Sequence, residues 1–446
     1  MKRFIETIQN IWKIEELREK ILLTLGLLLV YRLGSNVVLP GIDPESLTDL
    51  QNQAGSGIIG LLNAFTGGAF ANASILALGI MPYISASIVI QLLGMAVPTI
   101  QKMQKEGESG RRKINQITRF LTIAITAAQA PGYIANLMGQ NVALTISPSL
   151  FWITAIIVLT AGTIFAMWLG ERITDKGIGN GISLLIMVGI IASLPQAFLQ
   201  EMASKFERQG GGLVLFVVEI AALFVVILLS VGLVQAVRKV PVQYAKRTAG
   251  GRTYAGSMAR QYIPLKVNAA GVMPIIFAQA IMFIPVTVLT YSGLESEGAN
   301  ILATAFSDIQ GFWYNFVFAV LIILFTYFYT AIQVNTNQMA EDLKRNGGFI
   351  PGIKPGKATA EFLDTVLSRI TLPGSIFLAI LAILPAFAMI AGVNTQFAYF
   401  YGGTSLLIMV GVVLDTLQQI ESYLLNRHYD GLMKSGKLKG RAISAI

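Results

Sequence analysis

The sequence predicts an all-α polytopic membrane protein with ten transmembrane helices. Of its 446 residues, 54% are apolar and only 13% are charged. The apolar residues fall into ten runs that are each long enough to cross a bilayer. The basic residues are concentrated in alternate loops, as expected for a chain that crosses the membrane repeatedly. A soluble chain of this length could not cover so much hydrocarbon.

Each predicted span is about 20 residues long, which is the length that a helix needs to cross the hydrocarbon core. The spans lie near 20–38, 76–97, 117–138, 151–170, 182–199, 212–237, 271–291, 312–334, 370–391 and 403–424. All but three of the 33 Lys and Arg residues lie in loops on the side of the N-terminus or at the span ends that adjoin them. The exceptions are Arg32, within the first span, and Lys205 and Arg208, in one opposite loop. The positive-inside rule therefore predicts that both termini are cytoplasmic.

The composition argues against most enzyme chemistry. The chain has no cysteine and one histidine, His428, so it offers no zinc cluster, thiol nucleophile or Ser–His relay. Glu219 and Asp415 are the only acids in the interior of predicted spans, since Glu421 stands near the end of the last one. An intramembrane carboxylate is by default a functional candidate. The sequence identifies no basic partner for either within the membrane. A structural or interface role is therefore favoured over a proton relay, and no enzyme activity, metal or cofactor is expected.

Two segments of the N-terminal part do not fit the count of simple spans. Residues 4–19 place apolar side chains at helical spacing among charges, which predicts an amphipathic helix on the cytoplasmic surface or docked on a partner. Residues 57–70 are apolar, but their helix-competent part, 58–65, is too short to cross. Such a segment is either re-entrant, which requires a cavity to hold it, or a helix at the membrane surface.

Two large cytoplasmic loops, 238–269 and 335–369, concentrate basic charge. The first contains seven Lys and Arg residues and no acid. That charge would attract anionic lipid, RNA phosphate or an acidic protein face, although it could also serve only to set topology. Gly177–Gly181 superficially resembles a phosphate-binding loop, but no strand precedes it. Pro351–Lys357 lacks the Walker spacing and reads as a rigid basic turn.

Seven motifs in order resemble the SecY family, the large subunit of the bacterial Sec protein-conducting channel. They are ALGIMPYISASIVIQLL (77–93), KEGESGRRK (105–113), MWLGERITDKGIGNGIS (167–183), YAKR (244–247), PLKVNAAGVMPIIF (264–277), FIPGIKPGKATAEFL (349–363) and FYGGTSLL (400–407). The resemblance runs from about residue 20 to 440. It implies two pseudo-symmetric five-helix halves, 1–200 and 201–446, around a central pore. The halves would be hinged between spans five and six and would open sideways between spans two/three and seven/eight.

The resemblance also implies a pore ring and a plug. By motif, the ring falls on Ile80, Ile84, Ile182, Ile186, Ile276 and Ile408. A ring of branched apolar side chains makes a constriction that loses its water when empty and fits around a moving chain without offering it hydrogen bonds. The segment at about 57–70 matches the plug, with Ile58, Ile59, Leu61, Leu62, Phe65, Gly67 and Gly68 as its residues. A plug would fill the funnel beside the ring, which supplies the cavity required above.

The lateral gate and the docking loops are assigned in the same way. Ser85, Gln129 and Asn268 match polar gate positions that could hydrogen-bond across closed helices, although each could equally serve span packing. The family docks the ribosome and the SecA motor on its two basic loops, here through Arg238, Lys239, Lys246, Arg247, Arg252, Lys354 and Lys357. Lys354 stands where the family usually has arginine. It keeps the charge but lacks the planar five-donor group.

The function that the resemblance implies is a passive conduit in the bacterial plasma membrane. It would pass unfolded preproteins across the membrane and release transmembrane segments into lipid after binding a signal peptide. SecE and SecG would be its small partner subunits, and SecA, a ribosome or the proton-motive force would supply energy. The rival hypothesis is a secondary transporter of small solutes, which predicts clustered midplane ions and short cytoplasmic loops. An intramembrane hydrolase is a third, remote alternative.

Overall fold

A computed structural model describes residues 12, 14–47, 63, 66–140, 142–207, 212–244, 261–279, 281–282 and 308–434. The fold is largely helical, as predicted. Within the described residues, six helices are long and apolar enough to cross a membrane, and a bent pair would make a seventh span. The chain is therefore a multi-pass membrane protein. The count of ten spans stays a prediction, because residues 283–307 of the seventh and its following loop lie outside the described part.

The helices follow the apolar runs in order. They are α1 (Glu15–Gly34), α2 (Met81–Ala96), α3 (Pro98–Lys105), α4 (Glu108–Gly139), α5 (Pro148–Lys176), α6 (Gly181–Glu207), α7 (Gly212–Gln235), α8 (Phe312–Gln333), α9 (Thr336–Arg345), α10 (Lys357–Ile390), α11 (Thr395–Ala398) and α12 (Gly403–Lys434). Short 3-10 helices cover Pro44–Leu47 and Tyr399–Tyr401. Residues 273–279 are also helical. Helices α2 and α3 meet at a bend of 103°.

Several helices extend well beyond the apolar runs that predicted them. Helix α4 begins at Glu108 and α10 at Lys357, both inside segments that the hydropathy pattern assigned to cytoplasmic loops. A helix satisfies its own backbone hydrogen bonds and can therefore continue from lipid into water. Hydropathy marks only the part of a helix that lies in hydrocarbon. The large loop 335–369 is accordingly much shorter than predicted.

A small sheet accompanies the helices at the first basic loop. Strands β1 (Val237–Tyr244), β2 (Gln261–Lys266) and β3 (Gly348–Phe349) form an antiparallel sheet in the order β2-β1-β3. The inward side chains Val240, Val242 and Leu265 are buried against α9 and α10 residues such as Leu363. The alternation Val-x-Val and Ile-x-Leu is the signal that predicts these strands. The concentration of charge obscured it.

Contacts divide the chain into two compact units. The first unit comprises Met1–Pro195 and Val412–Ile446, and the second comprises Gln196–Gly411. In the first unit, α4 and α5 pack around Phe151 and Ile134 with the segment that precedes α2. The C-terminal part of α12 belongs there because Lys20 Nζ donates to Tyr423 Oη at 2.8 Å and lies over its ring. In the second unit, α8 and α10 pack along each other.

The predicted division into halves at residue 200 stays a prediction. The amphipathic helix at residues 4–19 falls mostly outside the described residues, in which α1 begins at Glu15.

Candidate functional site

Four of the six predicted pore-ring isoleucines lie in the first unit as two pairs. Ile80 immediately precedes α2 and is 4% exposed, and its carbonyl accepts the Ile84 N–H at 3.1 Å. Ile182 and Ile186 are one turn apart in α6, with Ile186 buried. Residues four apart share a helix face, so each pair presents two branched side chains together.

The other two ring residues lie in the second unit. Ile408 is buried at the start of α12, and Ile276 is half-buried in the helical residues 273–279. Five of the six residues thus lie in helical segments, and Ile80 lies immediately before one. Their assembly into one ring stays a prediction.

The C-terminal end of the predicted plug is a glycine turn. Gly67 and Gly68 have φ angles of +65° and +91°, in the left-handed region that favours glycine. The side chain of Asn63 accepts the Ala71 N–H at 3.0 Å and so closes the turn. The remaining predicted plug residues, Ile58, Ile59, Leu61, Leu62 and Phe65, lie outside the described residues. The half-helix itself stays a prediction.

This turn is held by side chains from other helices of the first unit. Tyr133 on α4 donates its hydroxyl to the Phe70 carbonyl at 2.8 Å, and the two rings pack edge to face. Arg32 on α1 donates from Nη1 to the Gly67 carbonyl. A segment predicted from its length alone is therefore anchored at its described end.

The three predicted gate residues have different surroundings. Ser85 donates its hydroxyl to the Met81 carbonyl of its own helix at 3.1 Å, and Gln129 is exposed on α4. Asn268 Oδ1 is buried and has no hydrogen-bond partner among the described residues. An unpaired buried acceptor costs free energy, so among the three gate residues a hydrogen bond from another helix would stabilise Asn268 most. The hydrogen bonds across a closed gate stay a prediction.

The described docking residues lie on a structured and exposed basic surface. Arg238 and Lys239 are exposed on β1, and Lys354 and Lys357 are exposed where the basic turn leads into α10. Pairing of β1 with β3, at Gln243 with Phe349, joins the first basic loop directly to the strand before that turn. The two loops predicted as separate are thus one surface. Lys246, Arg247 and Arg252 lie outside the described residues.

Sequence reasoning missed the aromatic side chains of this surface. Register places Tyr262 opposite Pro241 and Lys239 opposite Pro264, on the face away from the buried Val240 and Val242. Tyr262 and Phe349 are both exposed. Exposed aromatic rings beside basic groups can stack on flat partners and bind cations or bases through their faces.

The glycine-rich turn 177–181 is occupied by protein groups. The Ile178, Gly179 and Gly181 N–H groups donate to side chains at 3.1, 2.9 and 2.9 Å. The acceptors are Thr24 on α1, Gln419 on α12 and Thr174 on α5, respectively. These N–H groups are unavailable to a phosphate. The turn instead ties three helices of the first unit together.

A buried ion cluster in the second unit corrects two sequence-based expectations. Lys205 lies within α6 rather than in a loop, and its Nζ is 2.6 Å from Glu219 Oε1 and 3.3 Å from Glu201 Oε1. Glu219, for which the sequence identified no basic partner, is thus paired. The ammonium also donates to the Gly392 carbonyl at 3.0 Å, and Glu201 Oε2 accepts the Asn394 N–H at 2.8 Å. The cluster holds the segment after α10 against α6 and α7.

Asp415, the other intramembrane acid, is exposed on α12. Glu201 and Lys205 stand four apart on one helix, a spacing that could have indicated an ion pair. The partner segment, almost 200 residues further along the chain, could not be read from that spacing.

The fold is shared with solved protein-conducting channels. A solved protein-conducting channel matches 96% of this chain and 94% of its own length with a TM-score of 0.63 at 21% identity. A structure concerning the SecY plug domain, which stabilises the closed state of the translocation channel and maintains a membrane seal, matches with a TM-score of 0.63 at 20% identity and the same coverage. Sec61 in the canine ribosome-channel complex matches with a TM-score of 0.58, at 20% identity and the same coverage. These likenesses establish the fold.

The chain belongs to the SecY family. The family model for SecY matches residues 74–417. The protein translocase subunit SecY of Streptomyces scabiei is 43% identical over 438 residues, which are 95% of this chain and 98% of that protein. The Bacillus licheniformis protein of the same name is 45% identical over 437 residues, which are 96% and 99% of the two chains. The resemblance inferred from seven motifs is confirmed.

Proposed function

We propose that this chain is the channel-forming subunit of a protein translocase. It passes unfolded preproteins across the bacterial plasma membrane and releases apolar segments sideways into lipid. The observation that carries the proposal is identity above 40% along almost the whole length of proteins named protein translocase subunit SecY. The rival solute transporter has no support in these relatives.

The isoleucine ring is the constriction of the proposed conduit. Isoleucine offers no donor or acceptor to a passing polypeptide, so the chain slides without forming hydrogen bonds. When no chain is present, branched apolar side chains exclude water and therefore ions. The plug, whose described end is the turn at Gly67, adds a second closure. The chain is a conduit rather than an enzyme, and energy comes from its partners.

The proposed partners follow from this role and from the exposed basic surface. SecE and SecG are the small subunits, and the SecA motor and the ribosome dock on the sheet that joins the two basic loops. The canine Sec61 relative is itself known in a ribosome-channel complex. Signal peptides, preproteins and membrane lipids are the other partners. Both termini are cytoplasmic, because that orientation places the basic sheet on the side where a ribosome can reach it.

Purification and reconstitution test the proposed function. Solubilised membranes should yield the chain with two small membrane subunits. Proteoliposomes that contain the complex and a motor ATPase should import a preprotein with an intact signal peptide and not one without it. Uptake of small solutes by the same vesicles, without preprotein import, would contradict the proposal in favour of the transporter.

The gate residues give a first prediction. Replacing Gln129 or Asn268 with leucine should move the threshold hydrophobicity at which a model segment inserts. An interhelical hydrogen bond in a membrane contributes about 0.6–2 kcal/mol, and its loss shifts the balance between closed and open gates by about three- to thirtyfold. Ser85→Ala is the matched control, because its hydroxyl bonds its own helix. An unchanged insertion threshold for both leucine variants would show that Gln129 and Asn268 only pack between helices and do not control the gate.

The basic surface gives a second prediction, which separates docking from topology. Changing Lys246 and Arg247 together to glutamate should weaken ribosome or motor binding steeply. Each lost phosphate contact should reduce the slope of log affinity against log salt by about one. Orientation should survive, since Arg238, Lys239, Arg252, Arg260 and Lys266 remain in the same loop. Binding across a salt series, beside protease accessibility, measures both properties.

Unchanged affinity in the Lys246/Arg247 double variant would mean that these charges serve orientation or lipid contact only.

Lys354 offers a finer comparison at the basic turn. Lys354→Arg restores two-pronged donation and should keep or strengthen binding, whereas Lys354→Glu should impair it.

A further inference from the structure

We propose that Arg32 is a positioning residue that holds the turn at Gly67, the described end of the predicted plug, against the first helix. Arg32 lies in the interior of the first predicted span, whose only other basic residue, Lys20, is its first residue, and a charge within a span is costly unless it has a specific role. The proposal rests on the proposed channel function and adds a residue to it.

The contacts of Arg32 point to this role. Its Nη1 donates to the Gly67 carbonyl at the end of the plug and lies 3.3 Å from Ser35 Oγ. Ser35 is buried and donates its own hydroxyl to the Arg32 carbonyl at 2.7 Å, which fixes this turn of α1. A charged donor makes a stronger hydrogen bond than a neutral one, especially away from water. The guanidinium therefore ties the plug end to the first helix.

Gly67 also packs closely against the backbone of α6, which is possible because glycine has no side chain. A Cβ at this position would lie 2.7 Å from Gly189 Cα and 2.9 Å from the Gly189 carbonyl oxygen. The φ of +65° disfavours any other residue as well. The plug end thus lies between a donor on α1 and bare backbone on α6, the helix that carries Ile182 and Ile186. Loss of either contact should release it.

Two variants release the turn from opposite sides. Arg32→Gln removes the charge and shortens the donor, whereas Gly67→Ala forces the turn away from Gly189 and places its Cβ 3.1 Å from Arg32 Nη1. Both should raise the resting ion conductance of planar bilayers. The matched control is Gly26→Ala, in the same helix as Arg32, where an added Cβ meets nothing within 4 Å. Deletion of residues 57–65 is the positive control for a leak.

Thiol labelling reports the position of the turn independently of conductance. The chain has no cysteine, so Ala69→Cys introduces the only thiol, at a side chain that is 0% exposed. Arg32→Gln and Gly67→Ala should each raise the rate of labelling by a maleimide about three- to thirtyfold, the factor that corresponds to one interhelical hydrogen bond in a membrane. Arg32→Lys, which keeps a charged donor, should restore part of the protection.

The outcomes separate this inference from the proposed function. One outcome would refute the role of Arg32: Arg32→Gln and Gly67→Ala show the same ion conductance and labelling rate as the parent, while the deletion variant leaks ions. If preproteins are imported in the same experiments, the proposed channel function is still supported. If Arg32→Gln does not fold, Arg32→Lys decides in its place, because it alters the donor and leaves Gly67 unchanged. Labelling no faster than in the parent would then refute the role of Arg32. If the deletion variant does not leak ions and preproteins are not imported, the proposed channel function itself is contradicted.

Discussion

Replacing Ile84, Ile186, Ile276 and Ile408 together with serine should make the resting channel leak ions. Fully burying an isoleucine side chain is worth about 1.5–3 kcal/mol relative to leaving it in water, so four changes remove most of the free-energy cost of wetting the constriction. A factor of ten corresponds to about 1.4 kcal/mol. Conductance of planar bilayers should therefore rise by more than about tenfold, and further when the plug is deleted.

The control for this variant is valine at the same four positions. Valine keeps the ring apolar and branched, so these channels should stay closed and still import preproteins. Single serine variants should leak little, because neighbouring isoleucines can move into the space. A quadruple serine variant that conducts no more than the valine control would show that the ring is assigned to the wrong residues.

Lys205→Met should lower the free energy of unfolding by about 3–5 kcal/mol, the usual result of removing one partner from a buried ion pair. Lys205 is 3% exposed and Glu201 is fully buried. Without the ammonium, Glu201 and Glu219 would be two buried acids with no cation among the described residues around them. The Gly392 carbonyl would lose its donor as well. Thermal unfolding in detergent measures the loss.

Two further variants show whether charge or packing is responsible. Arg119→Met breaks an ion pair with Glu171 whose arginine is half exposed, and such pairs contribute at most about 1 kcal/mol. Combining Lys205→Met with Glu201→Gln and Glu219→Gln removes every charge from the cluster and should recover most of the lost stability. Equal losses for Lys205→Met and the triple variant would mean that packing alone matters.

The cluster illustrates where sequence reasoning ends. Glu201 and Lys205 are close in sequence, yet the apolar-run criterion placed Lys205 in a loop because it detects hydrocarbon rather than helix. Glu219 stood alone because its partner is on the preceding helix. The carbonyl of Gly392 carries no sequence signal at all, since every residue has one. Only packing of α6, α7 and the segment after α10 brings these groups together.

The basic loops show the same limit. The charge and exposure of the first loop were predictable from composition, because it contains seven Lys and Arg residues and no acid. The pairing of Gln243 with Phe349, about 100 residues apart, was not. Backbone pairing between distant strands depends on where the flanking helices end. Tyr262 and Phe349 become a candidate docking feature only when the sheet places them on its outer face.

By itself the sequence determined the class of protein, the helical spans found among the described residues, the residues assigned to a pore ring and the glycine turn at the described end of the predicted plug. These follow from local properties: hydropathy over about 20 residues, charge asymmetry and motifs of contiguous residues. The tertiary structure alone decided that Arg32 meets Gly67, that Lys205 is buried between two acids, and that two basic loops form one sheet. The physical reason is that hydropathy depends on each residue's own side chain, whereas hydrogen bonds and ion pairs depend on which distant groups the packed helices bring within 3 Å.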